Sequence, residues 1–102
     1  MGEDGGMSLA AVDVKPRIMR QVEPAYPADA RRHGIEGRVV ARLVVTADGG
    51  VNIISIVSAK PPQIFEQAVI AALEKWRFHP ARHKGHEVAT WVMLPICLNL
   101  KD

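Results

Sequence analysis

The alternation of apolar and polar residues from Glu36 onward predicts a β-hairpin. In "GRVVARLVVT" one face of the strand is wholly apolar and the other mixes arginine with valine; the apolar face comprises Val39, Ala41, Leu43 and Val45. The next residues, "ADGG", contain the Asp-Gly pair that is typical of hairpin turns, and "VNIISIVS" is the predicted returning strand. Because this second strand carries apolar residues on both faces, we expect a β-bulge in it.

Helical periodicity follows in "SAKPPQIFEQAVIAALEKWRFHPA". Pro62 suits the first turn of a helix, because its missing N–H would have no helical partner there. Pro80 ends the helix, since the residue before a proline avoids helical angles. One stripe carries the large apolar side chains and alanine, namely Phe65, Val69, Ala72, Leu73 and Trp76. Trp76 and Phe78 are therefore expected to close the core.

The segment "VATWVMLPICLNL" predicts a third strand, whose inward face comprises Val88, Thr90, Val92, Leu94, Ile96, Leu98 and Leu100. Pro95 cannot donate a ladder hydrogen bond, so this strand is predicted to lie at a sheet edge. No charged side chain occurs between Val88 and Leu100, and charge is a common protection of exposed edges. An unprotected edge indicates pairing with another chain, either an extended peptide or a second copy.

These elements predict an α+β domain, a three-stranded antiparallel sheet with two helices packed on one face, in the order α-β-β-α-β. The first helix is a short one between Pro27 and Gly34, and Tyr26 just before it is interpreted as a packing anchor. The glycine-rich beginning is interpreted as a flexible N-terminal linker or a cloning remnant over residues 1–22, followed by a domain over residues 23–102.

Composition narrows the functional classes. The chain of 102 residues carries 13 Lys and Arg against 11 Asp and Glu, and the basic residues are scattered, so nucleic-acid binding is not indicated. No stretch reaches the roughly 20 apolar residues of a membrane span, and the chain is expected to be soluble. With Cys97 as the single cysteine, no internal disulfide can form.

Candidate chemistry is sparse. His79, His83 and His86 are spaced four and three apart, as metal or haem ligands on a helix would be, but Pro80 and Gly85 interrupt any such helix. Solvated loop histidines are favoured, with a metal or haem site as the minority hypothesis. Cys97 lies in an apolar strand, so we expect no catalytic residue, no metal and no cofactor.

Six motifs resemble the TonB C-terminal domain family: "YP" at Tyr26, "GIEGRV", "ADGGV", "SAKP", "FEQAVIAALEKWRFHPA" and "LPICL". They occur in the family's order and spacing, and the resemblance covers Pro24 to Leu100. It implies a non-enzymatic periplasmic domain of an inner-membrane protein that couples proton-motive force to outer-membrane transport of siderophores, haem or vitamins.

The resemblance also implies partners. These are the TonB box and plug of outer-membrane TonB-dependent transporters, and an inner-membrane motor of the ExbB/ExbD type, reached through an N-terminal anchor that this sequence lacks. The alternative is a self-associating module of a cell-envelope assembly that dimerises by strand exchange. The two hypotheses share the unprotected edge strand and differ in what pairs with it.

By the same resemblance, the transporter segment pairs with the third strand and touches residues before the YP motif. The implied binding residues are Val22, Glu23, Pro24, Val88, Ala89, Thr90, Trp91, Val92, Met93 and Leu94. Leu98 stands where the family often has phenylalanine, and Glu23 adds a negative charge, so partner choice is expected to differ. A proline at Val92 is predicted to abolish peptide binding while the core survives.

Overall fold

The structure, a computed structural model, describes residues 6–100, with the side chains of residues 53 and 54 excepted. After a 3-10 turn at Leu9–Ala11, its elements are β1 Arg17–Arg20, α1 Ala28–Arg32, β2 Gly37–Val45, β3 Val51–Lys60, α2 Glu66–Leu73, β4 Arg77–His79, β5 Ala81–His83, β6 His86–Val88 and β7 Thr90–Leu98. No helix in this described range is long and apolar enough to cross a membrane.

The central sheet is antiparallel, with strand order β3-β2-β7. The predicted hairpin connects β2 to β3 through a tight turn, where the Thr46 N–H donates to the Gly50 carbonyl at 2.9 Å and Gly49 has a φ of +90°. The β2–β3 register shifts twice, between Val40 and Ala41 and again after Arg42, each time skipping one residue of β3. The predicted bulge is therefore confirmed.

The core lies on the helical side of this sheet. The predicted apolar face of β2 is buried and clusters with Ala30 from α1 and with Val69 and Leu73 from α2. The predicted stripe of the second helix is buried in full, and Trp76 and Phe78 are only 3% and 4% exposed. The α+β class and the two helices against the wholly apolar face of β2 agree with the sequence pattern.

The strand composition and order predicted from the sequence are wrong. Four further short strands form two additional antiparallel pairs, β1 with β4 and β5 with β6. The predicted third strand is divided at Ala89: Val88 pairs with Ala81, whereas Thr90 pairs with Val45. The division has a physical cause, because β2 ends at Val45 and leaves the residues before Thr90 to find another partner.

The second helix begins later than the Pro62 signal predicts, and it ends at Leu73, well before Pro80. Gln63 has a φ of +67°, which no helical residue adopts, so residues 61–65 form turns and α2 starts at Glu66. The Gln63 N–H donates to the Glu66 Oε2 atom at 2.8 Å, and this bond fixes the turn against the helix start. Pro62 therefore directs the approach to the helix and does not form its first turn.

Candidate functional site at the edge strand

Strand β7 forms one edge of the central sheet. It pairs with β2 along its whole length, from Leu98 opposite Gly37 to Thr90 opposite Val45, without a register shift. Within residues 6–100, its other side pairs with no strand, and its backbone pairing there is one isolated parallel bridge at Met7. The edge position predicted from Pro95 is confirmed.

Backbone hydrogen bonds show which groups face the open side of β7. The Trp91 N–H donates to the Met7 carbonyl at 3.0 Å, away from β2. In an antiparallel ladder, bonding to one neighbour alternates along the strand, so Met93, Pro95 and Cys97 also direct their backbone groups outward. Pro95 has no N–H to donate, and the position of that missing group faces the open side. No hydrogen bond to β2 is therefore lost.

The side chains of β7 divide between two faces. Val92, Leu94 and Ile96 pack against the core, and Thr90 and Leu98 are buried, which confirms the predicted inward face within β7. The opposite face presents Trp91, which is half-buried, together with Met93 and Cys97, which are exposed. Val88 and Leu100, assigned to the same face by periodicity, lie outside β7.

Arg42 and Trp91 form a cation–π pair on the outer face of the sheet. The guanidinium carbon lies 3.9 Å from the centre of the indole ring, within the range of a strong contact. A groove of about 540 Å³ runs beside this pair and is lined by Ser8, Leu9, Arg42, Trp91, Val92 and Met93. Periodicity assigned Arg42 to the outer face but gave no signal of its partner.

A second groove joins the segment before the YP motif to the far end of β7. Its volume is about 600 Å³, and its walls include Val22, Glu23 and Pro24 on one side and the residues from Leu94 to Leu100 on the other. The Trp76 Nε1–H donates to the Val22 carbonyl at 2.8 Å, which holds this segment on the core. The structure therefore brings Val22, Glu23 and Pro24 beside Leu94, and the groove continues to residues that the sequence reasoning left out.

Tyr26 has the contacts of a packing anchor. Its ring meets Phe65 edge-on, with centroids 5.4 Å apart and an interplanar angle of 77°. Its hydroxyl donates to the Ile35 carbonyl, which links both ends of the first helical segment. Burial, and next the nearby Glu36 carboxylate, raise the pKa of the Tyr26 hydroxyl. The phenol therefore stays protonated as a donor at neutral pH.

Residues before position 22 contact the rest of the fold at three places. Met7 bridges to β7, Asp13 and Val14 hydrogen-bond to Arg82, and β1 pairs with β4. The predicted division at residue 22 stays a prediction. Sequence reasoning missed Gly6 and Met7 as neighbours of the edge, because a glycine-rich stretch without periodicity gives no strand signal.

The three histidines are placed on three different strands. His79 is exposed on β4, His83 is half-buried on β5, and His86 is exposed opposite it on β6. The His83 Nδ1 atom lies 3.7 Å from the Asp13 Oδ1 atom. Among the described residues, no cluster of three or more His, Cys, Asp or Glu side chains could hold a metal ion.

Comparisons with known proteins agree with these features. A family profile described as Gram-negative bacterial TonB protein C-terminal matches residues 22–100. Protein TonB of Escherichia coli K12 is 42% identical over 74 residues, which are 72% of this chain and 31% of that protein. Protein TonB of Pseudomonas aeruginosa is 39% identical over 82 residues, 80% of this chain and 23% of that protein. The chain thus spans about a quarter to a third of these relatives.

Solved structures agree on the fold. The solution NMR structure of the Pseudomonas aeruginosa TonB CTD superposes with a TM-score of 0.75 at 31% identity, covering 94% of this chain and 95% of that one. The Vibrio anguillarum TonB2 protein, at 23% identity and a TM-score of 0.55, shares the fold and covers 100% of this chain and 89% of its own.

Proposed function

Because this chain belongs to the family of Gram-negative TonB C-terminal domains, we propose that it binds the TonB box of outer-membrane TonB-dependent transporters. The TonB box is an extended segment of the transporter plug, and it would add to β7 as a further strand. The domain is then a non-enzymatic periplasmic module, as its homologues are, and works by binding alone.

The open edge of β7 is the observation that carries this proposal. Met93 and Cys97 direct both of their backbone groups outward, and Pro95 directs its carbonyl outward. No charged side chain of Thr90–Leu98 protects these groups. Edge-strand addition uses such groups for affinity and the neighbouring side-chain grooves for specificity.

The two grooves extend this edge in the directions that a bound strand would need. At one end, side chains of the added strand would contact the Arg42–Trp91 pair. At the other end, they would enter the groove beside Val22, Glu23 and Pro24. Val88 belongs to β6, and the centre of the proposed site therefore moves toward Met93 and Cys97.

We propose that the same edge transmits force from the inner membrane to the transporter. Backbone hydrogen bonds are each worth about 0.5 to 1.5 kcal/mol net, so the complex can be weak at rest. If a pull acts along the strand, these bonds share the force and can displace part of the plug. We propose that the force comes from proton-motive force through an ExbB/ExbD-type motor and an N-terminal anchor in the inner membrane.

A proline on the open edge tests the proposal. A proline at Val92, the position predicted from the sequence, would break the ladder with β2, because the Val92 N–H faces that strand. Met93 is the suitable position, because its N–H faces the open side of β7. Met93→Pro removes one N–H that faces the open side, as the native Pro95 already does two residues later. The ladder with β2 loses no hydrogen bond, so the sheet should survive. Binding of a synthetic TonB-box peptide, measured by fluorescence anisotropy, should weaken by about three- to tenfold, the effect of losing one bond worth about 0.7 to 1.4 kcal/mol.

Met93→Ala is the matched control, because it removes the exposed side chain and keeps the N–H. It should bind the peptide within about twofold of the unchanged chain if backbone pairing dominates. Equal peptide affinity of Met93→Pro and Met93→Ala, with the fold intact by circular dichroism, would contradict strand addition on this edge.

The uncharged edge also favours a second function, pairing of β7 with a second copy of the chain. Sedimentation velocity from micromolar to millimolar protein separates the two. A receptor-binding domain should stay monomeric until peptide is added, whereas a self-associating module should dimerise without peptide and lose its dimer when Met93 is changed to proline.

A further inference from the structure

We propose that residues 6–9, here called the N-terminal strap, are a built-in competitor for the edge of β7, and that a transporter peptide must displace them to bind along the whole strand. This inference rests on the proposed function, since it concerns the same edge. The strap occupies Ala89 to Trp91, while Met93 to Cys97 remains open.

The strap makes the hydrogen bonds that an added strand would make. The Met7 N–H donates to the Ala89 carbonyl at 2.9 Å, and the Met7 carbonyl accepts from the Trp91 N–H at 3.0 Å. The same carbonyl accepts from the Thr90 hydroxyl at 2.8 Å. Any peptide that pairs with the backbone of Ala89 and Trp91 must break these bonds.

The strap also contacts the side chain of Trp91 and lines the groove beside it. The Trp91 Nε1–H donates to the Gly6 carbonyl at 3.1 Å. A Cβ atom at Gly6 would lie 3.1 Å from the indole ring, so only glycine fits there without a shift of Trp91. Leu9, two residues after Met7, lines the groove beside Arg42 and Trp91. The strap therefore forms part of the wall of the groove that side chains of a bound peptide would enter.

A second set of bonds keeps the strap close to the edge after it opens. The N–H groups of Asp13 and Val14 donate to the Arg82 carbonyl at 2.9 and 3.0 Å, and the Arg82 N–H donates to the Val14 carbonyl at 2.9 Å. The Asp13 carboxylate accepts from the Lys84 N–H at 2.6 Å. Tethered in this way, the strap has a high effective concentration at the edge and reduces the apparent affinity of a competing peptide.

The order of events follows from which part of the edge is open. A peptide first pairs with Met93 and Cys97, beside the groove at Val22 and Pro24, and then extends along β7 by replacing the strap bonds one at a time. Each bond broken at Met7 is replaced by an equivalent bond to the peptide, so the exchange needs no fully unpaired intermediate.

The test compares two variants at one position of the strap. Met7→Pro removes the N–H that bonds to Ala89. Met7→Ala is the matched control, because it changes the same side chain and keeps this N–H. A synthetic TonB-box peptide should bind Met7→Pro at least about threefold more tightly than Met7→Ala or the unchanged full chain.

Displacement of the strap is read by NMR from the Trp91 indole N–H, which donates to the Gly6 carbonyl when the strap is in place. At saturating peptide, the Trp91 indole N–H signal of the unchanged chain should move to the frequency it has in peptide-saturated Met7→Pro, as expected if Gly6 has left. Equal peptide affinity in the three proteins, with saturable shifts at Met93 and Cys97, would overturn the competition and leave the proposed function standing. Absence of saturable binding in all three would overturn both.

Discussion

At the scale of single residues, the glycine of the hairpin turn shows how one position joins two parts of the fold. Gly49 has a φ of +90°, and its carbonyl accepts from the Phe78 N–H at 2.9 Å. A Cβ atom there would lie 2.3 Å from the Phe78 carbonyl oxygen, which real contacts do not tolerate. Gly49 thus permits the tight turn, and it also permits β4, the strand directly after Trp76, to pack closely against this turn.

We predict that Gly49→Ala destabilises the domain far more than Gly34→Ala. Gly34 also has a positive φ, +68°, but open space surrounds its missing Cβ atom. Gly34→Ala should therefore cost only the conformational penalty of about 1 kcal/mol, whereas Gly49→Ala adds a clash with backbone and should cost about 3 kcal/mol or more. Urea unfolding measures both, and equal costs would contradict the close approach of β4 to this turn.

At the scale of elements, local signals in the sequence determined most of the core. The Asp-Gly pair located the β2–β3 hairpin, and the apolar stripe from Phe65 to Trp76 identified the buried side of α2 and of the residues that flank it. Both patterns are complete within a few neighbouring residues. Pro95 identified the edge strand by the same kind of local argument. These local features are sufficient to place the edge strand from the sequence.

Pairings between distant residues escaped the sequence reasoning. Strand β1 carries no alternating pattern, and all four of its residues are exposed, so only its partner β4 makes it a strand. The bridge of Met7 to Thr90 joins residues 83 positions apart, from a glycine-rich segment without strand propensity. The break at Ala89 likewise depends on where β2 ends and has no turn signal of its own.

The start of α2 gives a prediction about pH at this scale. The Glu66 carboxylate accepts from the Gln63 N–H, and this bond holds the pKa of Glu66 below its ordinary value of 4.5. A carboxyl whose folded-state pKa is lowered contributes stability that is complete above its ordinary pKa. That contribution is lost as the pH falls from 4.5 through the lower pKa of the folded state.

Glu66→Gln should therefore reduce the acid dependence of stability. The urea midpoint of the unchanged chain should fall as the pH is lowered from 6 to about 3, and the fall should be smaller in Glu66→Gln. Glu74→Gln, at the other end of α2, is the control, because the Glu74 side chain accepts no hydrogen bond from a described residue. Identical slopes for Glu66→Gln and the unchanged chain would contradict the role of this carboxylate.

At the scale of the whole molecule, the packing of residues 6–100 leaves the backbone edge of β7 from Met93 to Cys97 open for a partner. The helices cover the core side of the sheet, β3 is bulged, and β1, β4, β5 and β6 pair among themselves. Bulges protect an edge from pairing, so the open part of β7 is the better template for an added strand. Strand β7 is nine residues long, about 30 Å, which suits a short extended segment.

The most direct measurement of this account is an amide NMR titration of the full chain with a synthetic peptide that contains a TonB box. We predict saturable shifts along β7 at Trp91, Met93 and Cys97, together with shifts at Val22 and Glu23 across the groove. The amide signals of α2 should stay in place, since the core does not move. Saturable shifts confined to other elements, or broadening that depends only on protein concentration, would contradict strand addition at β7.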